Sequence, residues 1–187
     1  MIILGIDQGL ANIGYAIIST EPNLELLEHG IIKTKPDPVF GRRLLLIESK
    51  LLEVIEKYKP DLICTEALFC NKAQSSGRNK SAAIVQTNMA TAVIFMLGAE
   101  KNIPIRQFVP ISVKKQVTGS GKATKEEVED AIKQHFKDVI IKKDHESDAI
   151  AIALTGHFSV LNGLTSCEFE EEPKETKKKK TKKKKEK

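Results

Sequence analysis

The stretch Ile2-Ile-Leu-Gly-Ile-Asp7-Gln-Gly9 decides how the rest of the chain is read. An unbroken apolar run gives way to an acid, an amide and a glycine. A short run bounded by such a turn signal is a buried strand that ends on a carboxylate. Nothing basic precedes it and no small-residue cleavage site follows, so the N-terminus reads as a mature strand and not as a signal peptide. Gly14 to Ile18 is a second apolar run and Gly30-Ile-Ile32 a third, with Gly- and Pro-containing turns between them. Together they predict an antiparallel meander.

Beyond the meander the period changes. From Arg43 onward, Leu44, Ile47, Leu51, Val54, Ile55 and Tyr58 recur at helical spacing, and Lys59-Pro60-Asp61 stops the helix. Leu62 to Thr65 is then a buried strand ending on Glu66. A long helix is predicted over Lys80–Lys101, apolar on more than one face and so covered on both sides, by the sheet and by a partner subunit or the core itself. Ile103–Val109 reads as another strand. Thr124-Lys-Glu-Glu127 fits a capping box opening a helix that carries Val128, Ala131, Ile132, His135 and Phe136. Asp144 sits where an N-cap belongs, ahead of the apolar Ala149–Leu161 segment. Strands first, then alternating helix and strand, predict an α/β domain with a mixed sheet.

The composition narrows the setting. The chain has 187 residues, 41% hydrophobic and 29% charged, which suits one domain of ordinary size. Its longest apolar run, Ala92 to Ala99, is far short of the ~20 residues a membrane span needs, and no membrane role is expected. Cys64, Cys70 and Cys167 form no CxxC pair, so neither a disulfide framework nor a zinc site is indicated, and a reducing cytoplasm is the simplest home. Ten lysines and six glutamates fall in residues 168–187 and account for +4 of the net +5, which leaves the body nearly neutral. The expected organisation is one domain over residues 1–165 and a disordered lysine-rich tail over 166–187.

Four side chains stand out by location. Asp7 and Glu66 each end an otherwise apolar strand, and Asp148 lies one turn after His145 on the last helix. A carboxylate at the end of a buried strand is costly unless it is paired or bound to a cation. Several converging carboxylates suit a hard divalent metal such as Mg²⁺ or Mn²⁺. Asp144 and Glu146 are neighbouring rivals for the ligand role; Asp144 is read as a helix cap and Glu146 as solvent-facing.

The words around these acids resemble a known family. Gly5-Ile-Asp7-Gln-Gly9-Leu-Ala-Asn-Ile-Gly14-Tyr15, Thr65-Glu66-Ala-Leu-Phe69 with Asn71, Pro110 with Val113-Lys-Lys-Gln-Val-Thr-Gly119-Ser-Gly-Lys-Ala-Thr-Lys125, and His145-Glu-Ser-Asp148-Ala-Ile-Ala are similar to blocks of the RuvC family of Holliday junction resolvases, in order and spacing. The resemblance spans about residues 1–160. It implies an RNase H-like fold, a homodimer and metal-dependent symmetric nicking of a four-way DNA junction, leaving 5′-phosphate and 3′-hydroxyl ends. It also implies a branch-migration helicase complex of the RuvA and RuvB kind as partner. Asp7, Glu66, His145 and Asp148 match the family's catalytic and metal-binding positions. Lys114 and Lys125 match basic residues that support catalysis and hold DNA, and Phe69 matches an aromatic that contacts bases at the junction.

On this reading two ions about 4 Å apart would clamp the attacking and leaving oxygens, with Asp7 between them. Many family members have Pro at the position of Gln8 and Asp at that of His145. Since imidazole favours softer ions, Mn²⁺ is expected to serve at least as well as Mg²⁺.

Other signals are weaker. Gly119-Ser-Gly-Lys122-Ala123 suggests a phosphate-binding loop but fails that motif at Gln116 and Ala123, and reads as a basic contact loop for the DNA backbone. Cys64 reads as an inert strand residue. The Ile-Asp-x-Gly turn also opens sugar kinases and actin-like ATPases, but a second glycine-rich acidic turn is missing here. A non-catalytic junction-binding module, or a nuclease for other branched nucleic acids, remains the alternative function.

Overall fold

Three antiparallel strands open the structure: β1 (Ile2–Asp7), β2 (Asn12–Ser19) and β3 (Glu25–Lys33). They are followed by α1 (Phe40–Tyr58), β4 (Leu62–Glu66), α2 (Arg78–Glu100), β5 (Ile105–Phe108), α3 (Pro110–Thr118), α4 (Lys125–His135) and α5 (Asp144–Leu161). The computed structural model describes residues 1–67 and 78–163, the side chains of 78–84 excepted. Phe69 and the tail 166–187, both singled out above, lie outside the described residues.

The strands form one sheet in the order β3-β2-β1-β4-β5. β1 pairs antiparallel with β2, and β4 and β5 lie parallel to β1. This mixed sheet with helices on both faces is the RNase H-like α/β architecture that the sequence predicts.

Side chains alternate across the strands and split the core in two. Leu4, Ile6, Ile17 and Ile63 pack against Ile47, Leu51 and Ile55 of α1 and against Ile94 and Leu97 of α2. Ile3, Ala16, Leu62 and Cys64 face α3, α4 and α5 on the other side. Burying each large aliphatic chain contributes about 1.5–3 kcal/mol before chain entropy is subtracted. Among its described side chains, α2 buries Ala90, Val93, Ile94 and Leu97 in this core, while Val85, Met89, Phe95 and Met96 stay exposed. Within a single chain the helix is therefore covered on one side only.

Two elements differ from the sequence reading. β3 begins at Glu25, well before Gly30, because an edge strand half open to water needs no continuous apolar run. Pro110–Thr118 is a helix, with Pro110 in its first turn and Gly119 as a left-handed C-cap at φ 81°. That pairing of proline at the start and glycine past the end is a helix signature in its own right. The capping box is present as expected. Thr124 accepts the Glu127 N–H at 3.2 Å, and the Glu127 carboxylate accepts the Thr124 N–H at 2.7 Å.

Candidate active site

The site forms where β1 and β4 end side by side and α5 begins. Alternation along β1 places Asp7 on the same face as Ile3 and Gly5, toward α5. Glu66 shares that face with Leu62 and Cys64. Two glycines bring the helix down onto the strands. A Cβ on Gly5 would stand 2.3 Å from the Ala149 carbonyl oxygen, and one on Gly14 would stand 1.9 Å from the His145 carbonyl oxygen. Gly14 is the cross-strand partner of Asp7. The missing side chain thus lets the first turn of α5 seat beside the end of β1. As a result His145 Nδ1 lies 2.5 Å from Asp7 Oδ2.

The electrostatics are those of an acidic cluster held out of water. Burial pushes the Glu66 carboxyl up to about 7, and the charges of Asp7 and Asp148 push the same way. Asp148 is raised to about 6, first by burial and then by Asp7. Asp7 is raised by burial as well, against the opposing pull of His145 and of Lys125. Carboxyls that resist ionising because they are buried, with like charges adding to the effect at Glu66 and Asp148, are a donor set suited to a divalent cation. Among the described residues, no three His, Cys, Asp or Glu side chains form a ready-made cage. Asp7, Glu66, His145 and Asp148 are the residues that would hold an ion here, and the oxygen of Asp7 now paired with His145 would have to be released to serve.

A cleft of about 210 Å³ adjoins the cluster, lined by Glu66, Asp148, Lys114, Lys125, Pro110 and Val113. The half-buried Lys114 donates to the Ala123 carbonyl at 2.6 Å and so braces the glycine loop. Lys125 is exposed and forms an ion pair with Asp144. A wider groove of about 780 Å³ opens on another side, along β3 and the α4–α5 connection, and contains none of the four acid-site residues. Glu66 and Asp148 line the smaller cleft together with Lys114 and Lys125.

Two neighbours depart from the sequence reading. Asp144 is the first residue of α5 and not its cap; Lys143 holds the cap position without a side-chain bond. Glu146 is buried, not solvent-facing. Its carboxylate accepts the Lys142 N–H at 2.8 Å and lies 3.8 Å from His29 Nδ1, which leaves it facing β3 and away from Asp7. Cys64 is fully buried, and its thiol is pushed far up by that burial, as an inert strand residue should be. Gln8, where many family members have Pro, contacts Thr65 and Glu66 through its side chain, which its place in the sequence does not announce.

Strand-end carboxylates on an RNase H-like sheet, joined by a helix that carries another acid, define a nuclease-type phosphodiester site. The family model for crossover junction endodeoxyribonuclease RuvC matches residues 3–157. A crossover junction endodeoxyribonuclease RuvC from Prochlorococcus marinus (strain MIT 9313) is 38% identical over 160 residues, covering 84% of this chain and 99% of that protein. The Thermus thermophilus RuvC structure aligns with a TM-score of 0.75 at 26% identity, over 87% of this chain and 97% of that one. T. thermophilus RuvC in complex with Holliday junction substrate aligns with a TM-score of 0.74 at 25% identity, over the same shares. This chain belongs to the RuvC family of crossover junction endodeoxyribonucleases.

Among the described residues no helix is long and apolar enough to cross a membrane.

Proposed function

We propose that this protein resolves Holliday junctions, nicking two strands of a four-way DNA junction symmetrically in a reaction that needs a divalent cation and leaves 5′-phosphate and 3′-hydroxyl ends. One observation carries the reading: Asp7, Glu66 and Asp148 lie together at the meeting of β1, β4 and α5, where burial raises all three carboxyls and the charge of Asp7 adds to the rise of the other two. With His145 they would bind the cation, as two ions per site of Mg²⁺ or, at least as effectively, Mn²⁺. Bound there, a divalent ion supplies charge for the phosphoryl oxygens and a water of lowered pKa.

The chain's own groups do the rest. Asp7 and His145 hold a proton between Oδ2 and Nδ1 until the site opens. Burial of Glu66 and Asp148 keeps competing water from screening the phosphate's developing charge. Lys125 and Lys114 supply positive charge at the rim of the cleft, Lys125 by exchanging Asp144 for a phosphate.

A junction presents two equivalent strands, which a two-fold dimer with one site per subunit matches. The exposed stripe of α2 (Val85, Met89, Phe95, Met96) is the surface for the second copy. A Met89→Glu variant is expected to sediment as a monomer; one that remains a folded dimer removes this face from the interface. Phe69 as a base contact, the tail 166–187 as an accessory to the 1–165 nuclease domain, a cytoplasmic site of action and a RuvA–RuvB-type helicase partner belong to the same reading by family resemblance.

The test is cleavage of a labelled, mobile four-way junction, with matched linear duplex, Mg²⁺, Mn²⁺, EDTA and Asp7→Asn alongside. Paired nicks that need metal and Asp7 and spare the duplex are expected. Tight junction binding without nicking in either metal would establish a non-catalytic binding module instead.

A further inference from the structure

β1 stays paired with β2 as far as Asp7 and Gly14, but its pairing with β4 stops one residue earlier, at Ile6 and Thr65. The two central strands therefore part where their carboxylates leave the sheet. The Gln8 side chain spans this gap. Its Oε1 accepts the Glu66 backbone N–H at 3.1 Å, and its Nε2 donates to the Glu66 carbonyl at 2.8 Å. The buried Thr65 hydroxyl donates to the same Oε1. Gln107 Nε2 completes the Glu66 carbonyl from the β5 side at 3.2 Å.

One carboxamide thus meets both polar groups of one residue, as a further strand residue would. Its orientation is set by the partners, since turning the amide over would oppose donor to donor and acceptor to acceptor. Few other side chains can do this: the contact needs an acceptor and a donor on one planar group, at the reach of a two-carbon stem. A glutamate would lose the donor and add another negative charge to a cluster already crowded with them.

We infer that Gln8 is a positioning residue of the cation site, bracketing the Glu66 peptide so that Asp7 and Glu66 keep a fixed separation despite their mutual repulsion. The inference rests on the reading that these two carboxylates hold the divalent ion. A bracket of this kind acts on metal affinity and only then on turnover. Groups that orient a ligand from behind typically account for 10–100-fold in metal affinity.

The experiment measures Mn²⁺ binding to the full chain, by the electron paramagnetic resonance signal of free Mn²⁺, for wild type, Gln8→Ala, Gln8→Met and Asp7→Asn. Methionine keeps the length and bulk of Gln8 and lacks its hydrogen bonds, which separates bracketing from packing. Both Gln8 variants are expected to bind Mn²⁺ about tenfold more weakly and to need correspondingly more Mn²⁺ for half-maximal nicking. Junction binding in EDTA and far-ultraviolet circular dichroism are expected to match wild type. Wild-type Mn²⁺ affinity in Gln8→Met overturns the inference, whatever Gln8→Ala does, because bulk would then suffice. If Asp7→Asn binds Mn²⁺ as well as wild type, the reading of the site itself fails, and the role of Gln8 fails with it.

Discussion

The two faces of the sheet are packed by different rules. Against α1 and α2, β1 presents Leu4 and Ile6, and the helices answer with Ile47, Leu51, Ile55, Ile94 and Leu97. Against α5 it presents Ile3, Gly5 and Asp7, and the helix answers with Ala149 and Ala153. Large interlocking aliphatics bury extensive area at close packing. Glycine against alanine supplies little area but fixes backbone to backbone at contact distance, which is how His145 reaches Asp7. Both faces carry a core, but at the strand end only the α5 face sets backbone on backbone, so activity should depend on that seat more than on any one aliphatic contact with α1.

The sharpest way to break the comparison is Gly14→Val. The new side chain collides with the His145 backbone, and displacing the first turn of α5 by about 1 Å should cost about 100-fold in junction nicking. Single-turnover rates at saturating metal would show it; a rate within fivefold of wild type would mean that α5 does not need this close seat. Leu51→Ala tests the opposite face. It should cost about 2–5 kcal/mol of stability by denaturant titration, while the nicking rate per folded molecule stays unchanged.

The pH response sharpens the contrast further. Glu66 and Asp148 titrate near 7 and 6 in the folded chain, against ordinary values of 4.5 and 3.8. Folding therefore binds protons at these two groups between those limits, and in the cation-free protein the stability they contribute is full below the ordinary values and is lost as pH rises through 6 and 7. Melting temperatures in EDTA from pH 5 to 8 measure this. Glu66→Gln should flatten the fall and abolish the restoring effect of Mn²⁺ at pH 8. The smallest effect belongs to the rim. Asp144→Asn frees an exposed Lys125 and should tighten junction binding a few-fold at most, with the gain lost at high salt.

What could be read from the sequence follows the range of the forces involved. The apolar run of β1, the helical period of α1 and the Thr124–Glu127 box are local patterns, and each forms where expected. Asp7 and Glu66 stand out in the sequence because each ends an apolar strand, where a charge is out of keeping with the residues beside it, and His145 and Asp148 because they lie one turn apart ahead of an apolar helical segment. α3 was passed over because only Val113 and Val117 mark its buried face among lysines, although Pro110 and Gly119 bracket it. Glu146 was misplaced because its burial depends on β3, more than a hundred residues away in the chain. The Gln8 bracket depends on two strand ends being adjacent in space, and no spacing within the sequence encodes that.

Gly5 and Gly14 touch no substrate and carry no functional group, yet nearly any replacement would force a helix off its seat. A random-mutagenesis screen for loss of activity would score both alongside Asp7 and Glu66, the carboxylates proposed to hold the cation. In such a map the count of intolerant positions would overstate the number of reacting groups, and the excess would trace the path of α5 across the sheet.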